Sequence, residues 1–177
     1  MLDNFFSAVQ DVANNPSTLP ERQVLLGEAQ TLTDRFQFID GRIQALSSEI
    51  NLRMDTVVSE VNGLTESIAT LNDKITNSLQ RTGQAAPDLL DERDRNLAKL
   101  SKLVGYNIRE NENASFDVTM GGGQLLVSQF TAQPLTTFVS TTNPNAMAVA
   151  GKAANSDISS KITGGELGGL IDFRTNS

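Results

Sequence analysis

Apolar residues recur along the first half of the chain in alternating steps of four and three, an average period of about 3.5 residues, which is that of a heptad repeat. One step, from Ile50 to Met54, is four where three is due, and such a stutter locally unwinds a supercoil. The pattern predicts a long α-helix with an apolar seam that packs against partner helices. The predicted seam consists of Leu25, Leu32, Phe36, Ile39, Ile43, Leu46, Ile50, Met54, Val57, Val61, Leu64, Ile68, Leu71 and Ile75.

The ends of this long helix are marked by Pro20, which suits a first-turn position, and by Gly83, which suits the residue after the last turn. About 63 residues of helix would span about 95 Å at about 1.5 Å per residue. We therefore expect either an extended rod or a break in the helix, most readily at Asp40-Gly41.

Shorter helices are predicted on both sides of the long one. Apolar residues at helical spacing between residues 2 and 12 predict an opening helix, with Asp3 or Asn4 as its cap. Those between residues 89 and 104 predict a second amphipathic helix, with Asp88 as its cap. A short turn joins this helix to the long one, so the two should form an antiparallel pair.

The period changes to two after Tyr106, which indicates strands. Phe116–Met120 alternates apolar and polar residues, Gly121–Gly123 supplies a turn, and Leu125–Val127 continues as a second strand of a hairpin. Further strands are predicted at residues 137–140, 147–150 and 158–162.

The predicted fold class is mainly α with a small β part (α+β). Residues 1–104 form a helical, coiled-coil-like bundle in this interpretation, and residues 105–163 form a small antiparallel β part. Residues 164–177 form a turn that leads into a truncated return helix.

Composition excludes most enzyme classes. The chain has no Cys and no His, which removes thiol nucleophiles, His-based triads and the usual zinc ligands. Its 14 basic and 21 acidic residues give a net charge of -7, which argues against binding to nucleic acid or to anionic lipid. No apolar run approaches the roughly 18 residues of a membrane span. We predict no metal and no cofactor.

Two motifs could carry chemistry but have simpler interpretations. Asp91, Glu92 and Asp94 could form an acid–base or metal site, but acidic residues also favour the first turn of a helix, and Asp91 lies one turn from Arg95. Arg93 and Asp94 could instead tie the helix to the β part. Gly121, Gly122 and Gly123 lack the Lys-Ser or Lys-Thr of a phosphate-binding loop, so a hairpin turn is favoured.

The seam holds more apolar residues than the shorter helices can cover. Burial of each side chain of this kind contributes about 1.5–3 kcal/mol to the free energy of unfolding, so exposure of the seam to water is unfavourable. Either the protein self-associates along the seam, or the sequence is a fragment whose missing ends supply partner helices.

Three stretches resemble the bacterial flagellar hook-associated protein 1 family, the first hook–filament junction proteins. They are Leu89–Gly105, Gly121–Val127 and Gly165–Arg174, the last of which contains Gly168 and Gly169. Their order and separation fit the family, as do the block from Phe5 to Pro16 and the long seam. The resemblance covers nearly the whole chain and corresponds to the middle domain.

The resemblance implies a structural protein of the extracellular flagellum, exported through the flagellar type III apparatus. The full-length protein would assemble in a ring and contact hook protein and the next hook-associated protein. An export chaperone would bind a C-terminal region that we expect to be missing here, as is the N-terminal helical segment. A fragment without those regions should be monomeric.

Two other functions remain open at this stage. One is a coiled-coil adaptor or tail-fibre-like structural protein unrelated to flagella. The other is a hydrolase that uses Asp91, Glu92 and Asp94.

Overall fold

The computed structural model of the chain describes residues 1–141, 143, 145–151 and 157–175. Helices come first, antiparallel strands follow and a helix ends the described chain, which confirms the α+β fold class. The strands at residues 106–110 and 131–132 were not predicted from the sequence pattern. The helices are α1 (Leu2–Asn14), α2 (Leu19–Thr82), α3 (Pro87–Leu103) and α4 (Gly165–Thr175). The strands are β1 (Tyr106–Glu110), β2 (Phe116–Met120), β3 (Leu125–Ser128), β4 (Thr131–Ala132), β5 (Leu135–Val139) and β6 (Met147–Gly151).

The long helix predicted from the heptad pattern is α2. Pro20 lies in its first turn, where a missing N–H is tolerated. Gly83 follows its last residue with a φ of 75° and donates its N–H to the carbonyl of Leu79. That left-handed conformation suits glycine and ends the helix. The helix continues through Gly41, so the alternative of a break there is wrong.

Two predicted helix caps are wrong. The N-cap of α1 is Met1, and neither Asp3 nor Asn4 caps it, because the helix already begins at Leu2. The N-cap of α3 is Ala86, not Asp88, because the helix already begins at Pro87. Proline fits there because the N–H groups of the first turn have no intrahelical acceptor.

By its internal contacts the chain divides into two units, Met1–Leu46 and Ser47–Ser177. In the first unit, Ala8 is the one fully buried hydrophobic residue. The turn between α1 and α2 is closed by Thr18, whose hydroxyl donates to the Asn15 carbonyl at 2.7 Å, and by Arg22, whose Nε donates to the Pro16 carbonyl at 3.2 Å. The three-part division at residues 104 and 163 stays a prediction.

The second unit has one hydrophobic core, shared by α2, α3, α4 and both sheets. Helix α3 runs antiparallel to α2, as predicted, because Arg93 bonds to Asn72 while the later Asn96 bonds to the earlier Ser67. Within the described residues, no helix has the length and hydropathy needed to cross a membrane.

The strands form two antiparallel sheets. One has four strands in the order β1-β2-β3-β4, and the other consists of β5 and β6. A register shift lies between Val118 and Thr119 of β2, next to the glycine turn at Gly121–Gly123. The predicted glycine hairpin is thus present, and the strands expected at 137–140 and 147–150 correspond to β5 and β6.

The strand predicted at residues 158–162 is wrong. Residues Ser159–Lys161 form one turn of 3-10 helix, and Asp157 makes only an isolated bridge to Ala150. The cause is local, because the Asp157 carboxylate accepts the Ser159 N–H at 2.8 Å and starts a turn in place of a strand. The predicted return helix is α4, and residues 176 and 177 of that prediction lie outside the described residues.

The glycines of the hairpin turn pack against the chain that precedes α4. A Cβ on Gly121 would lie 2.1 Å from the Lys161 carbonyl oxygen, and one on Gly122 would lie 2.7 Å from the Lys161 side chain. Gly122 and Gly123 have φ values of 71° and 82°, which favour glycine. These three positions therefore have a structural reason to be glycine.

The two glycines of α4 differ from each other. A Cβ on Gly168 would lie 3.1 Å from the backbone of Thr163, a tight contact. One on Gly169 would meet no described atom within 4 Å, and the backbone there is an ordinary helix. Nothing in the structure explains glycine at residue 169.

We expect Gly121→Ala and Gly169→Ala to have opposite effects. Gly121→Ala forces the turn away from Lys161 and should lower the free energy of unfolding by about 1–3 kcal/mol. Gly169→Ala should raise it by up to about 1 kcal/mol, because alanine favours the helix. Urea unfolding followed by circular dichroism measures both. A loss of stability in Gly169→Ala would contradict the open space at that position.

Candidate assembly surface

The predicted seam divides near Ile50 into two parts that differ in exposure. In the first part, Phe36 is 60% exposed, Ile43 is 59% exposed and Leu46 is 45% exposed. The second part is mostly buried. Its fully buried members are Met54, Val57, Val61, Ile68, Leu71 and Ile75, while Ile50 and Leu64 are half-buried. Leu25 and Leu32, in the first part, are also half-buried.

The buried part of the seam is part of the core that includes α3 and α4. Leu97 and Leu100 of α3 and Leu167 and Ile171 of α4 belong to the same cluster of buried side chains. Because α3 runs antiparallel to α2, the apolar stripes of the two helices can face each other over several turns. This half of α2 therefore has its partner helices within the chain.

The exposed part has no such partner within its own unit. We call Phe36, Ile39, Ile43 and Leu46 the exposed seam. All four lie between 41% and 60% exposed, although each would contribute about 1.5–3 kcal/mol on full burial. Contiguous exposed apolar surface of this kind marks interaction sites in proteins.

A second heptad stripe on α2 faces the strands, and it is largely polar. It follows the same alternation of four and three as the seam, without the stutter. We call it the polar stripe, and its members are Asn51, Asp55, Val58, Asn62, Thr65, Ala69, Asn72 and Thr76. Val58, Thr65, Ala69, Asn72 and Thr76 are buried, so α2 is covered on two faces.

Asparagines of the polar stripe bind strand backbone through both ends of the side-chain amide. Asn62 Nδ2 donates to the Leu135 carbonyl at 2.9 Å, and its Oδ1 accepts the Leu135 N–H at 2.8 Å. Asn51 Nδ2 donates to the Asn145 carbonyl at 3.0 Å, and its Oδ1 accepts the Met147 N–H at 3.0 Å. These bonds fix the starts of β5 and β6 on α2.

Asn72 makes the same contact with β2 and adds two more bonds. Its Nδ2 donates to the carbonyls of Phe116 at 2.8 Å and Gln129 at 2.6 Å. Its Oδ1 accepts the Phe116 N–H at 3.2 Å and an N–H of Arg93 at 3.2 Å. The residue is 0% exposed, so its amide is fully buried and fully hydrogen-bonded.

The strand residues that the asparagines bind, Leu135, Met147 and Phe116, share one backbone orientation. In an antiparallel pair, alternate residues direct their N–H and C=O away from the neighbouring strand. The Ser140 N–H donates to the Ala146 carbonyl, which fixes the phase of the β5–β6 pair and leaves Leu135 and Met147 facing outward. The Asn111 N–H donates to the Ser115 carbonyl, so Phe116 likewise faces away from β1. The asparagines therefore satisfy strand edges.

Arg93 is buried and has no carboxylate partner among the described ion pairs. Its guanidinium donates to the Ala114 carbonyl at 2.7 Å and lies 3.5 Å from the centroid of the Phe116 ring. Burial lowers the pKa of Arg93, and the charges of Asp94 and Glu110 partly oppose that effect. The charge is held by a carbonyl, an amide and an aromatic face, which attaches α3 to the turn between β1 and β2.

Asp117 holds the turn between β3 and β4. Its carboxylate accepts the Gln129 N–H at 2.8 Å and an N–H of Arg109 at 2.8 Å. Burial alone would raise the pKa of Asp117, but the hydrogen bonds from Arg109, Gln129 and Asn111 outweigh it, so the pKa lies below its usual value. Gln129 has a φ of 49°, and this capping bond stabilises that conformation.

A surface ion pair joins α2 to α4. Arg53 donates to the carboxylate of Glu166, which lowers the pKa of Glu166 and raises the pKa of Arg53. Arg174 also reaches the sulfur of Met54 at 3.9 Å. Both ends of α4 thus contact one short part of α2.

The acidic residues singled out in the sequence do not converge. Asp91, Glu92 and Asp94 are all exposed on α3, and the described ion pairs do not include Asp91 with Arg95. No group of three or more acidic side chains able to hold a metal ion occurs among the described residues. Of the charged cluster, Arg93 alone forms a described tie to the β part.

This chain is similar to known proteins in both sequence and structure. A family model described as the flagellar hook-associated protein FlgK helical domain matches residues 1–177. The chain belongs to the FlgK helical domain family. Flagellar hook-associated protein 1 of Salmonella typhimurium is 32% identical over 98% of the chain, and that of Escherichia coli K12 is 30% identical over 98%. A solved structure of the flagellar hook junction protein FlgK from Burkholderia pseudomallei has a TM-score of 0.84 at 30% identity over 98% of the chain.

Membership in the FlgK family confirms the resemblance carried by the three motifs. It does not favour the alternative of an adaptor or tail-fibre-like protein unrelated to flagella. The chain spans about a third of the relatives' length, 32% for the Salmonella protein and 32% for the Burkholderia structure. The roles assigned from the sequence to the seam and motif residues stay predictions.

Sequence reasoning missed the asparagines of this FlgK-family domain. A search for apolar residues at heptad spacing assigns polar positions of the helix to solvent, and so it passes over Asn51, Asn62 and Asn72. These asparagines nevertheless share heptad positions with Val58, Thr65 and Ala69. Their spacing of 11 and 10 residues, close to three helical turns, was the signal that could have found them.

We expect Asn72→Ala to destabilise the domain by about 3 kcal/mol or more, because it leaves buried backbone groups of Phe116 and Gln129 and an N–H of Arg93 without their partner. Asn77→Ala, on an exposed position of the same helix, should change stability by less than about 0.5 kcal/mol. Urea unfolding measures both. Equal effects would show that the buried amide contributes little.

The lowered pKa of Asp117 predicts a pH effect. A carboxyl whose folded pKa is depressed stabilises the fold above its unfolded pKa of about 3.9, and that stability is lost as pH falls through the folded pKa. Asp117→Asn should therefore show a smaller loss of unfolding free energy between pH 7 and pH 3 than the native chain. Asp73→Asn, at an exposed position, is the control. An unchanged pH dependence in Asp117→Asn would contradict this role.

Proposed function

We propose that this protein is a structural subunit of the bacterial flagellum that joins the hook to the filament as part of an axial assembly outside the cell. The exposed seam is the observation that carries the proposal. Its four apolar side chains lie on a helix whose later turns, with the same heptad spacing, are covered by α3 and α4. A helix of this kind is suited to lie alongside other helices.

The partners of the exposed seam are helices of the full-length protein or of neighbouring subunits. The relatives are named hook-associated and hook junction proteins, which supports contacts with hook protein and with the next hook-associated protein. In this proposal the full-length protein forms a ring and leaves the cell through the flagellar type III apparatus. A chaperone binds it through a region outside residues 1–177, and the present chain alone is monomeric.

The protein acts in this proposal without catalysis. Support comes from the absence of Cys and His in the sequence and from the spread of Asp91, Glu92 and Asp94 over exposed positions of α3. The three-part division at residues 104 and 163 belongs to the same proposal, with the β part as an appendage of the packing helices.

Replacement of the exposed seam tests the function. We expect Phe36→Ser combined with Ile43→Ser, made in the full-length protein, to abolish filament attachment and swimming in cells that lack the native protein. The present chain with the same changes should keep its helix content and unfolding free energy, because both side chains are already exposed. Electron microscopy of cells and circular dichroism measure the two effects.

Leu26→Ser is the matched control, since Leu26 is 71% exposed and lies off the seam. It should leave filament attachment intact. Normal motility in the double seam variant would contradict the proposal that this face packs in the assembly.

A further inference from the structure

The heptad positions of the polar stripe continue toward the N-terminus of α2 as a row of glutamines. Gln23, Gln30, Gln37 and Gln44 follow one another at intervals of seven, and Asn51 is the next member. All four glutamines are exposed. Within the part of the chain that the structure describes, the Gln37 amide forms no hydrogen bond, whereas Gln30 donates to Asp34 and Gln44 donates to Asp40 on their own helix. We call these four residues the glutamine row.

Where strands cover the stripe, its amides perform one task. Asn51, Asn62 and Asn72 each bind the outward-facing N–H of the first residue of a strand, together with a carbonyl nearby. A primary amide can do so because it carries both a donor and an acceptor. Glutamine carries the same group on a side chain longer by one methylene. Each glutamine of the row can therefore bind the edge of one strand in the same way.

Strand β1 offers such an edge. β1 lies at the outside of the four-stranded sheet and pairs with β2 alone. The bond from the Asn111 N–H to the Ser115 carbonyl fixes the phase, so the backbone groups of Ile108 face the open edge. Ile108 is also 44% exposed. Exposed edges of this kind pair readily with another chain.

We propose that the glutamine row binds the β1 edge of a second copy of the protein, with the Gln37 amide at that edge. The Met1–Leu46 unit contains no strand of its own, so a strand bound to this row belongs to another unit. The contact joins different surfaces on the two copies. A heterologous contact of that type repeats from subunit to subunit and closes into a ring when the rotation allows it. This inference rests on the proposed function and names one of its subunit contacts.

Cysteine crosslinking tests the contact cleanly, because the sequence has no native Cys. Full-length protein with Gln37→Cys and isotope-labelled full-length protein with Asn107→Cys are mixed, assembled on hooks and oxidised. We expect a mixed disulfide between the two pools, identified by mass spectrometry. The control is Thr31→Cys with Asn107→Cys, since Thr31 is exposed on another face of α2. That pair should give no mixed disulfide.

A second variant removes the amides without harming the helix. Gln23, Gln30, Gln37 and Gln44 are all changed to Ala, a stronger helix former. We expect self-association of the full-length protein, measured by analytical ultracentrifugation, to weaken about tenfold or more, since each lost hydrogen bond contributes modestly. The control variant carries Thr31→Ala and Glu49→Ala at exposed positions off the row and should associate normally.

The outcomes separate this inference from the proposed function. If the protein assembles at hooks but Gln37→Cys gives no mixed disulfide, or the alanine variant associates like the native protein, the glutamine contact is wrong and the flagellar role stands. A disulfide formed equally well by Thr31→Cys, or only between residues of one copy, also overturns the contact. If the native full-length protein does not assemble at hooks, both proposals fail.

Discussion

The strands of this domain keep their place because asparagines on one helix bind the edges of those strands. A backbone N–H or C=O that leaves water must find a partner, and an edge that faces a helix cannot find one in helical backbone. Asn51, Asn62 and Asn72 supply that partner at the first residue of β6, β5 and β2. Without them the packing of both sheets on α2 would bury unsatisfied polar groups.

Two kinds of interaction therefore act on neighbouring faces of α2. The apolar seam, with Met54, Val61 and Ile68 at its centre, removes large side chains from water, and this gain depends on area and not on direction. The amides add little net free energy but have strict geometry. The seam accounts for the affinity of α3 and α4 for α2, whereas the amides determine where along α2 each strand begins.

The same helix continues into turns where its apolar face is open. Phe36, Ile39, Ile43 and Leu46 keep the heptad spacing of the buried half but remain between 41% and 60% exposed. A long helix with one covered half and one open half is suited to an assembly, because the covered half holds the domain together and the open half is available to partners. Membership in the FlgK family agrees with that arrangement.

The sequence by itself determined the helices, the glycine hairpin and the family, because apolar period, proline and glycine act over a few neighbouring residues. It did not determine which polar side chains of α2 bind strand backbone. Asn72 bonds to Phe116 across 44 positions, Asn62 to Leu135 across 73, and Asn51 to Met147 across 96. An asparagine on a helix is equally compatible with water until a distant strand edge reaches it. Only the tertiary structure decides that, since burial of an amide depends on the arrival of its partner.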